Sequence, residues 1–209
     1  MKLDDKGLLV VISGPSGVGK GTIRSALFEM EGHDLVYSIS LTTRKPRSDE
    51  INGREYWFIS KEEFEQKIKD NKMLEYAEFV GNYYGTPLDT VEEQLRVGKE
   101  VVLEIEVTGA MQVRERMSDA VFIFIAPPSY EVLENRLKSR GTEDSEHIKE
   151  RIVKAKKELG LAYQYDYIVV NDEIKNAADK IMAIIRAEHA RTERTIHKYN
   201  SLLGVKNND

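Results

Sequence analysis

The sequence of 209 residues has no cysteine, a single tryptophan, five prolines and no long apolar run. The absence of cysteine excludes disulfide bonds and thiolate metal sites, and it is typical of a reducing compartment such as the cytoplasm. No apolar segment is long enough to cross a membrane, and the N-terminal one is too short for a signal peptide, so we expect no membrane partner. The net charge of −5 argues against broad nucleic-acid binding, so a site for a polyanion must be a local concentration of arginine and lysine.

The composition, 41% hydrophobic and 32% charged, suits one moderately large α/β domain or a core with small inserted lobes. Buried parallel strands are predicted where short runs are nearly all apolar, at Leu8–Ile12, Val101–Ile105, Ala120–Ile125 and Tyr167–Val170. Helical periodicity follows the first strand and recurs near Leu88–Val97, Gly109–Met117, Tyr130–Lys138, Glu146–Leu159 and Ile174–Tyr199. This alternation predicts a doubly wound α/β core with a parallel sheet flanked by helices.

The pattern changes between residues 37 and 86. Ser60 and Glu63 predict a capping box at the start of a helix over Lys61–Lys69. Around that helix are short strand-like pieces at Tyr37–Leu41, Tyr56–Ile59, Met73–Phe79 and Tyr83–Tyr84. We therefore expect a mixed, β-rich lobe over 37–86, inserted into a core formed by 1–36 and 87–209. The polar segment 139–144 lies between two helices and predicts a lid over about 136–152.

The most informative segment runs from Leu8 to Thr22 and reads LLVVISGPSGVGKGT. An apolar strand, a glycine-rich turn and an amphipathic helix follow one another, which is the context of a phosphate-binding loop. The glycines let backbone N–H groups point at phosphate oxygens, the helix adds its positive N-terminal end, and Lys20 adds a mobile positive charge. The strict motif has Ser or Thr directly after the lysine, where this chain has Gly21. Here the hydroxyl residue is Thr22, one position later. A glycine-rich turn with a chance lysine is the alternative, but the flanking elements favour binding of a nucleoside triphosphate.

A second cluster is basic. Arg44 and Arg47 are three residues apart in a turn that Pro46 keeps out of a helix. Two planar guanidinium groups held close together suit a phosphate monoester, which accepts bidentate hydrogen bonds. A basic turn is also typical of a solvated surface. Tyr56 and Tyr84 could complete a phosphate-and-base pocket, or they could be aromatic residues at the edge of the core.

Eight motifs follow one another along the chain, namely GPSGVGKGT, SISLTTRKPR, the NGxxY of Asn52 to Tyr56, GNYYGTP, LEIEVTGA, IFIAPPS, RLKSRGTE and VVND. In this order they resemble the motifs of the guanylate kinases, from about Gly7 to the helix beyond Asn171. The resemblance implies a P-loop NTPase core, an inserted lobe that binds the nucleoside monophosphate, and a lid. It also implies transfer of the γ-phosphoryl group of ATP to GMP, and to dGMP, in purine nucleotide metabolism.

Carried over position by position, the resemblance assigns GMP binding to Ser40, Arg44, Arg47, Tyr56, Glu75, Tyr84 and Thr86. A carboxylate such as Glu75 can accept hydrogen bonds from both N1–H and the 2-amino group of guanine, while hydroxyl groups such as that of Ser40 can donate to O6. Adenine reverses this pattern and would leave the carboxylate unpaired. Two simpler interpretations stay open, since Thr86 before Pro87 fits a helix N-cap and Glu75 fits the solvent-facing residue of its strand.

The resemblance places ATP at the phosphate loop and Asn171, that is, at Gly14, Pro15, Ser16, Gly17, Val18, Gly19, Lys20, Gly21, Thr22 and Asn171. It assigns neutralisation of charge on the transferring phosphoryl group to Lys20, Arg44, Arg136, Arg140 and Arg151. For Arg136, Arg140 or Arg151 taken alone, a solvated helix face is the simpler interpretation. The Asn-Asp pair at 171 and 172 also fits an ordinary turn.

Four positions depart from the family pattern, Gly21 among them. Glu104 and Glu106 stand where aspartates are common, and Thr108 where glutamine is usual. The two glutamates are assigned to the GMP site, with roles open between contact with GMP, orientation of Arg44, and binding of magnesium through water. Because Gly21 has no hydroxyl, Mg²⁺ is expected to accompany ATP mainly through phosphate oxygens and water, with Thr22 as one further ligand to consider.

The expected partners are ATP and GMP, and the oligomeric state stays open. Two other functions remain: a kinase for another nucleoside monophosphate, or an inactive guanylate-kinase-like module that binds a protein. Glu75 and Ser40 favour guanine. An inactive module should tolerate loss of the phosphate-loop lysine and the lid arginines, which this chain keeps.

Overall fold

The computed structural model describes residues 6–139, 145–199 and 203. Its strands are β1 (Leu9–Ser13), β2 (Leu35–Tyr37), β3 (Leu41–Thr42), β4 (Trp57–Phe58), β5 (Met73–Phe79), β6 (Asn82–Pro87), β7 (Glu100–Glu104), β8 (Val121–Ala126) and β9 (Tyr167–Val170). Its α-helices are α1 (Lys20–Phe28), α2 (Lys61–Lys69), α3 (Leu88–Arg96), α4 (Val107–Arg116), α5 (Tyr130–Ser139), α6 (Ser145–Leu159), α7 (Ile174–His189) and α8 (Thr192–Thr195). Short 3₁₀ helices cover Ala162–Gln164 and Ile196–Tyr199.

The core is a five-stranded, all-parallel sheet in the order β2-β7-β1-β8-β9. Alternate residues of β1 point to opposite faces, so Val10 and Ile12 pack against helices α1 and α7, while Leu9 and Val11 pack against α3 and α4. Both faces are covered along β1, β7 and β8, which explains why these strands are nearly all apolar. The edge strand β9 was predicted to be buried, but its Ile168 and Val170 are exposed. The predicted α/β fold, a parallel sheet flanked by helices, is confirmed.

A second, smaller sheet has the order β4-β3-β6-β5, with β5 and β6 antiparallel. Leu41, Phe64 and Met73 form its own small apolar cluster. Helix α2 covers this cluster with Phe64, and it begins at the predicted capping box, in which Ser60 and Glu63 bond to each other's backbone N–H groups. Among the described residues, no helix combines the length and the apolar character that crossing a membrane requires.

The predicted strand Tyr37–Leu41 is wrong, because the chain changes sheets within it. Strand β2 ends at Tyr37 in the parallel sheet, where the next N–H group, that of Ser38, still donates to the carbonyl of Val102. Leu41 then begins β3, which pairs with β4 and β6 in the small sheet. Apolar periodicity identifies extended residues, but it does not say which neighbour they pair with.

The predicted long helix Ile174–Tyr199 is also wrong in its second half. Helix α7 ends at His189, and Arg191 has an extended ψ of 136°. The break lets two arginines reach the carboxylate of Glu188, which is 1% exposed: Arg191 lies 3.5 Å and Arg194 3.3 Å from its Oε2. The hydroxyl of Tyr167 donates to Oε1 of the same group. A buried carboxylate needs such partners, and a straight helix would not supply them all.

Candidate active site

A cleft of about 640 Å³ lies between the carboxyl ends of the core strands and the small sheet. Many residues predicted from sequence line it together, namely Ser16, Gly17, Gly19, Lys20, Gly21, Thr22, Ser40, Tyr56, Glu75, Tyr84, Glu104 and Glu106. The phosphate loop forms one wall and the small sheet forms the opposite wall. This position, outside the carboxyl ends of parallel strands, is where open α/β sheets bind their ligands.

The phosphate loop has the backbone that its glycines predict. Gly17 and Gly19 have positive φ angles of 82° and 95°, which residues with a side chain rarely adopt. A side chain on Gly14 would also begin only 2.4 Å from the carbonyl oxygen of Ile125. Pro15 and Val18 complete the loop as buried residues behind its cleft-facing surface.

Lys20, the first residue of α1, lies across the loop. Its Nζ donates to the carbonyl oxygens of Gly14 at 2.7 Å and Pro15 at 3.3 Å. Burial lowers the pKa of Lys20, while the carboxylates of Glu104 and Glu158 oppose that shift. The lysine is therefore held beside the loop surface that would meet phosphates.

Two predicted site residues support the loop from behind and do not line the cleft. Asn171, which is buried, donates from Nδ2 to the carbonyl oxygen of Val18 at 2.7 Å, and Nη1 of Arg136 donates to the same oxygen at 3.1 Å. A Cβ on Gly19 would lie 2.6 Å from the Asn171 amide nitrogen. Their contact with a nucleotide stays a prediction. Arg140 lies outside the described residues.

Helix α6 reaches the loop with residues two turns apart. Nη2 of Arg151 donates to the hydroxyl of Ser16 at 3.1 Å, and the backbone N–H of Ser16 donates to Oε2 of Glu158 at 3.3 Å. Burial raises the pKa of Glu158. Lys154, between them on the helix, pairs with Glu106 at 2.7 Å across the cleft. The position of α6 is therefore coupled to the loop.

The basic turn contains a structured ion pair. Both terminal nitrogens of Arg44 donate to the carboxylate of Glu50, at 3.0 and 2.8 Å, and the backbone N–H of Arg47 donates to it at 2.8 Å. The Arg44 guanidinium and this N–H lower the pKa of Glu50 to about 2. Arg44 lies 5.7 Å from the ring centroid of Tyr56, and Glu50 and Tyr84 help to raise its pKa. It lies just outside the cleft lining, as does the exposed side chain of Arg47.

Glu75 and Thr86 form a buried polar pair on neighbouring strands. They are opposite each other in β5 and β6, and the Thr86 hydroxyl donates to Oε1 of Glu75 at 2.7 Å. Glu75 is 6% exposed, so it is not the solvent-facing residue of its strand. Thr86 is not a helix cap either, since Pro87 occupies the N-cap of α3. Burial raises the pKa of Glu75 to about 7, against the hydrogen bond from Thr86 and with help from the charge of Glu106.

Glu104 is held by a cation on α1. Its Oε2 lies 3.3 Å from Nε of Arg24, whose guanidinium stacks 4.3 Å above the ring of Tyr37. Oε1 of Glu104 would lie 3.5 Å from a Cβ on Gly21. Glu104, which is longer than the aspartate common at this position, thus extends to the space beside Gly21.

The charged residues around the cleft that the sequence did not predict include Arg24, Glu50, Lys154 and Glu158. Arg24 lies one helical turn after Lys20, and Glu158 two turns after Arg151, so helix spacing could have found both. Glu50 is in an irregular loop, where no periodicity indicates what a side chain faces.

Comparison with known proteins agrees with the geometry. The model of the guanylate kinase family matches residues 6–188. The guanylate kinases of Onion yellows phytoplasma and Bacillus subtilis are 57% and 53% identical to the chain, covering 97% and 98% of it and 96% and 100% of the relatives. The crystal structure of guanylate kinase from Anaplasma phagocytophilum aligns with a TM-score of 0.76 at 32% identity, over 98% of this chain and 100% of that one. The chain belongs to the guanylate kinase family.

Proposed function

We propose that the protein transfers the γ-phosphoryl group of ATP to GMP, giving ADP and GDP, in the cytoplasm. The observation that carries this proposal is the buried carboxylate of Glu75, which lines the same cleft as Lys20 and the phosphate loop and accepts a hydrogen bond from Thr86 behind the cleft surface. No cation among the described residues forms an ion pair with Glu75, so its carboxylate has acceptor capacity for two neighbouring donors. Guanine presents such a pair of donors on N1 and the 2-amino group.

In this proposal the parts of the chain have separate tasks. The core, 1–36 and 87–209, binds ATP at the phosphate loop; the lobe, 37–86, binds GMP; and the lid, about 136–152, closes over both. Arg44, Arg47, Tyr56 and Tyr84 hold the GMP phosphate, while Ser40 and Thr86 serve the base. The contacts of Arg44 with Tyr56 and Tyr84 support this grouping.

No covalent enzyme intermediate is needed, because an oxygen of the GMP phosphate is itself the nucleophile. The protein then acts by alignment and by neutralising charge, with Lys20, Arg136, Arg140 and Arg151 as the cations near the transferring group. Lid closure excludes water, which would otherwise compete with GMP as the acceptor.

The oxygen donors of the cleft fit Mg²⁺, which prefers hard oxygen ligands and keeps several waters. The Thr22 hydroxyl and the carboxylates of Glu104 and Glu106 line the cavity beside Lys20. Within the described part of the chain, no three acidic or histidine side chains are grouped closely enough to hold a metal alone. We therefore propose that phosphate oxygens and water supply most ligands, and that the bound ion neutralises phosphate charge.

The test is a coupled assay of ADP release with GMP, AMP, CMP and UMP offered separately. We expect rapid release with GMP and a much slower rate with the other three. Equal rates with AMP would indicate a kinase for another nucleoside monophosphate. GMP binding by calorimetry without any ADP release would instead indicate an inactive binding module.

Arg44→Ala is expected to raise the KM for GMP by about one to two decades, because it removes charge-assisted hydrogen bonds to the acceptor phosphate. It also leaves Glu50 as an unpaired negative charge beside that phosphate. The KM for ATP should stay unchanged. Steady-state kinetics with each substrate varied in turn measures both values.

Arg54→Ala is the matched control for Arg44→Ala, since Arg54 is in the same loop and pairs with Glu55. It should leave both KM values unaltered. The double variant Arg44→Ala/Glu50→Gln should recover part of the loss by removing the repulsion. If Arg44→Ala bound GMP as tightly as the parent in calorimetry, the acceptor phosphate would have to bind elsewhere.

GMP binding is expected to weaken below about pH 7, the value to which burial raises the pKa of Glu75. Because the raised pKa keeps the carboxyl protonated below that pH, one of its oxygens becomes a donor facing guanine donors. The KM for GMP should then rise toward tenfold for each pH unit. The GMP phosphate also titrates near this range. The control is therefore the pH profile of Glu75→Gln, which retains the titration of the GMP phosphate but lacks that of the Glu75 carboxyl. Identical profiles for the two proteins would contradict the assignment.

A further inference from the structure

Gly109 lies where helix α4 begins and touches the carboxylate of Glu75. A Cβ placed on Gly109 would lie 2.6 Å from Oε2 of Glu75 and 3.3 Å from its Cδ. The residue is buried and lines the cleft. Carbon and oxygen atoms do not approach to 2.6 Å without displacement, so the space taken by the carboxylate exists only because position 109 has no side chain.

The backbone at this position does not itself require glycine. Gly109 is the third residue of α4 and is not among the residues with a positive φ angle. Glycine weakens a helix relative to alanine, so its presence here works against local stability. The contact with Glu75 is the feature of the structure that accounts for it.

Helix α4 is fixed to β5, so it cannot retreat to make room. Gln112, one turn beyond Gly109, exchanges two hydrogen bonds with the backbone of Tyr76, at 3.1 and 2.9 Å. Arg116, a further turn along, donates to the carbonyl oxygen of Met73 at 2.6 Å. These three bonds clamp the same helix face that carries Gly109. A side chain at 109 would therefore displace the carboxylate and leave the helix in place.

The other oxygen of Glu75 is fixed from the opposite direction, by the Thr86 hydroxyl at 2.7 Å. The hydrogen bond from Thr86 and the close packing against α4 at Gly109 thus fix the position of the carboxylate. Moving Oε2 away from α4 would rotate the group and pull Oε1 off Thr86. Among the described residues, the charge of Glu106 contributes to the raised pKa of Glu75.

We propose that Gly109 is a specificity-determining position for the acceptor base. By presenting no side chain, it lets the clamped helix α4 hold the Glu75 carboxylate in the orientation that accepts both guanine donors. Gly109 is a positioning residue that acts through Glu75. The inference rests on the proposed function, because it takes Glu75 to be the reader of guanine.

Gly109→Ala is expected to raise the KM for GMP at least tenfold and to lower the ratio of GMP to AMP efficiency. The KM for ATP should stay within twofold of the parent value, since the phosphate loop does not touch this position. Thermal unfolding should show a folded protein, because alanine suits a helix better than glycine. A matched control is Gly160→Ala, at an exposed position beyond the end of α6, which should change neither KM.

The decisive measurement combines Gly109→Ala with Glu75→Asp. Aspartate is shorter by one methylene group, so its carboxylate is withdrawn from the added Cβ. Adding Gly109→Ala to the Glu75→Asp background should then raise the GMP KM by less than twofold, compared with at least tenfold in the parent. If Gly109→Ala failed to fold, recovery of the folded state in the double variant would support the same steric contact, and no recovery would overturn it.

The two proposals fail in different ways. If the parent protein did not phosphorylate GMP, the proposed function would be wrong. If the parent did so and Gly109→Ala kept the parent KM for GMP, the inference alone would be wrong. The inference would also be overturned if Gly109→Ala raised the KM for GMP equally in the parent and in Glu75→Asp, or raised the KM for ATP as much as that for GMP. In either case the effect would not pass through Glu75.

Discussion

Lys20→Ala is expected to lower the rate of phosphoryl transfer by about a thousandfold or more, which abolishes activity for practical purposes. Lys20 is the loop's own cation, and its Nζ is held 2.7 Å from the carbonyl oxygen of Gly14, at the surface that meets the phosphates. The burial that lowers the pKa of Lys20 also removes water from its ammonium group, which therefore gains strongly from an anionic ligand. Single-turnover measurements with saturating ATP and GMP would give the rate.

The fold should survive this change, because the core residues beside Lys20, such as Val18 and Ile23, keep their contacts. Circular dichroism and thermal unfolding test that point. Lys69→Ala is a matched control, since Lys69 is exposed at the end of α2 and its removal costs the same unit of charge. Near-parent turnover by Lys20→Ala would refute the assignment of the phosphate loop.

Much of the fold could be predicted from sequence because its signals are local. The nearly all-apolar strand β9 was predicted with its observed bounds, Tyr167–Val170, and α2 with both of its ends. Each depends on a short run of neighbouring residues, although Ile168 and Val170 of β9 are exposed and not buried as their apolar character predicts. The phosphate loop is equally local, since its glycines and Lys20 are neighbours in the chain.

The features that could not be predicted depend on residues far apart in sequence. The change of sheet after Tyr37 is decided by pairing with β7, and the break after α7 by Glu188 finding Tyr167 and two arginines. Likewise, the helical pattern of α6 predicted an apolar stripe but not that Glu158 would accept the N–H of Ser16. Such contacts form only when tertiary packing brings the elements together, and no single segment encodes them.

The same distinction applies to base recognition, where the sequence could indicate Glu75 but not its surroundings. Glu75→Gln is expected to reduce the catalytic efficiency with GMP strongly, and with AMP much less or not at all. Glutamine keeps the size of the side chain but replaces one acceptor oxygen by an NH₂ donor, which would face a guanine donor. If Thr86 keeps its bond to the remaining oxygen, the amide nitrogen takes the place of Oε2, beside Gly109. Efficiencies measured in parallel with the two nucleotides test the prediction.

Thermal unfolding distinguishes a loss of guanine recognition in Glu75→Gln from a general loss of structure. The pKa of Glu75 is raised to about 7 in the folded protein, above its unfolded value of 4.5, so ionisation favours unfolding as the pH rises through that window. At pH 8 the parent therefore carries the cost of a buried charge, which Glu75→Gln removes. The variant should unfold at no lower a temperature than the parent at pH 8, even though its efficiency with GMP has collapsed. An unchanged ratio of GMP to AMP efficiency in a folded Glu75→Gln protein would mean that another residue selects the base.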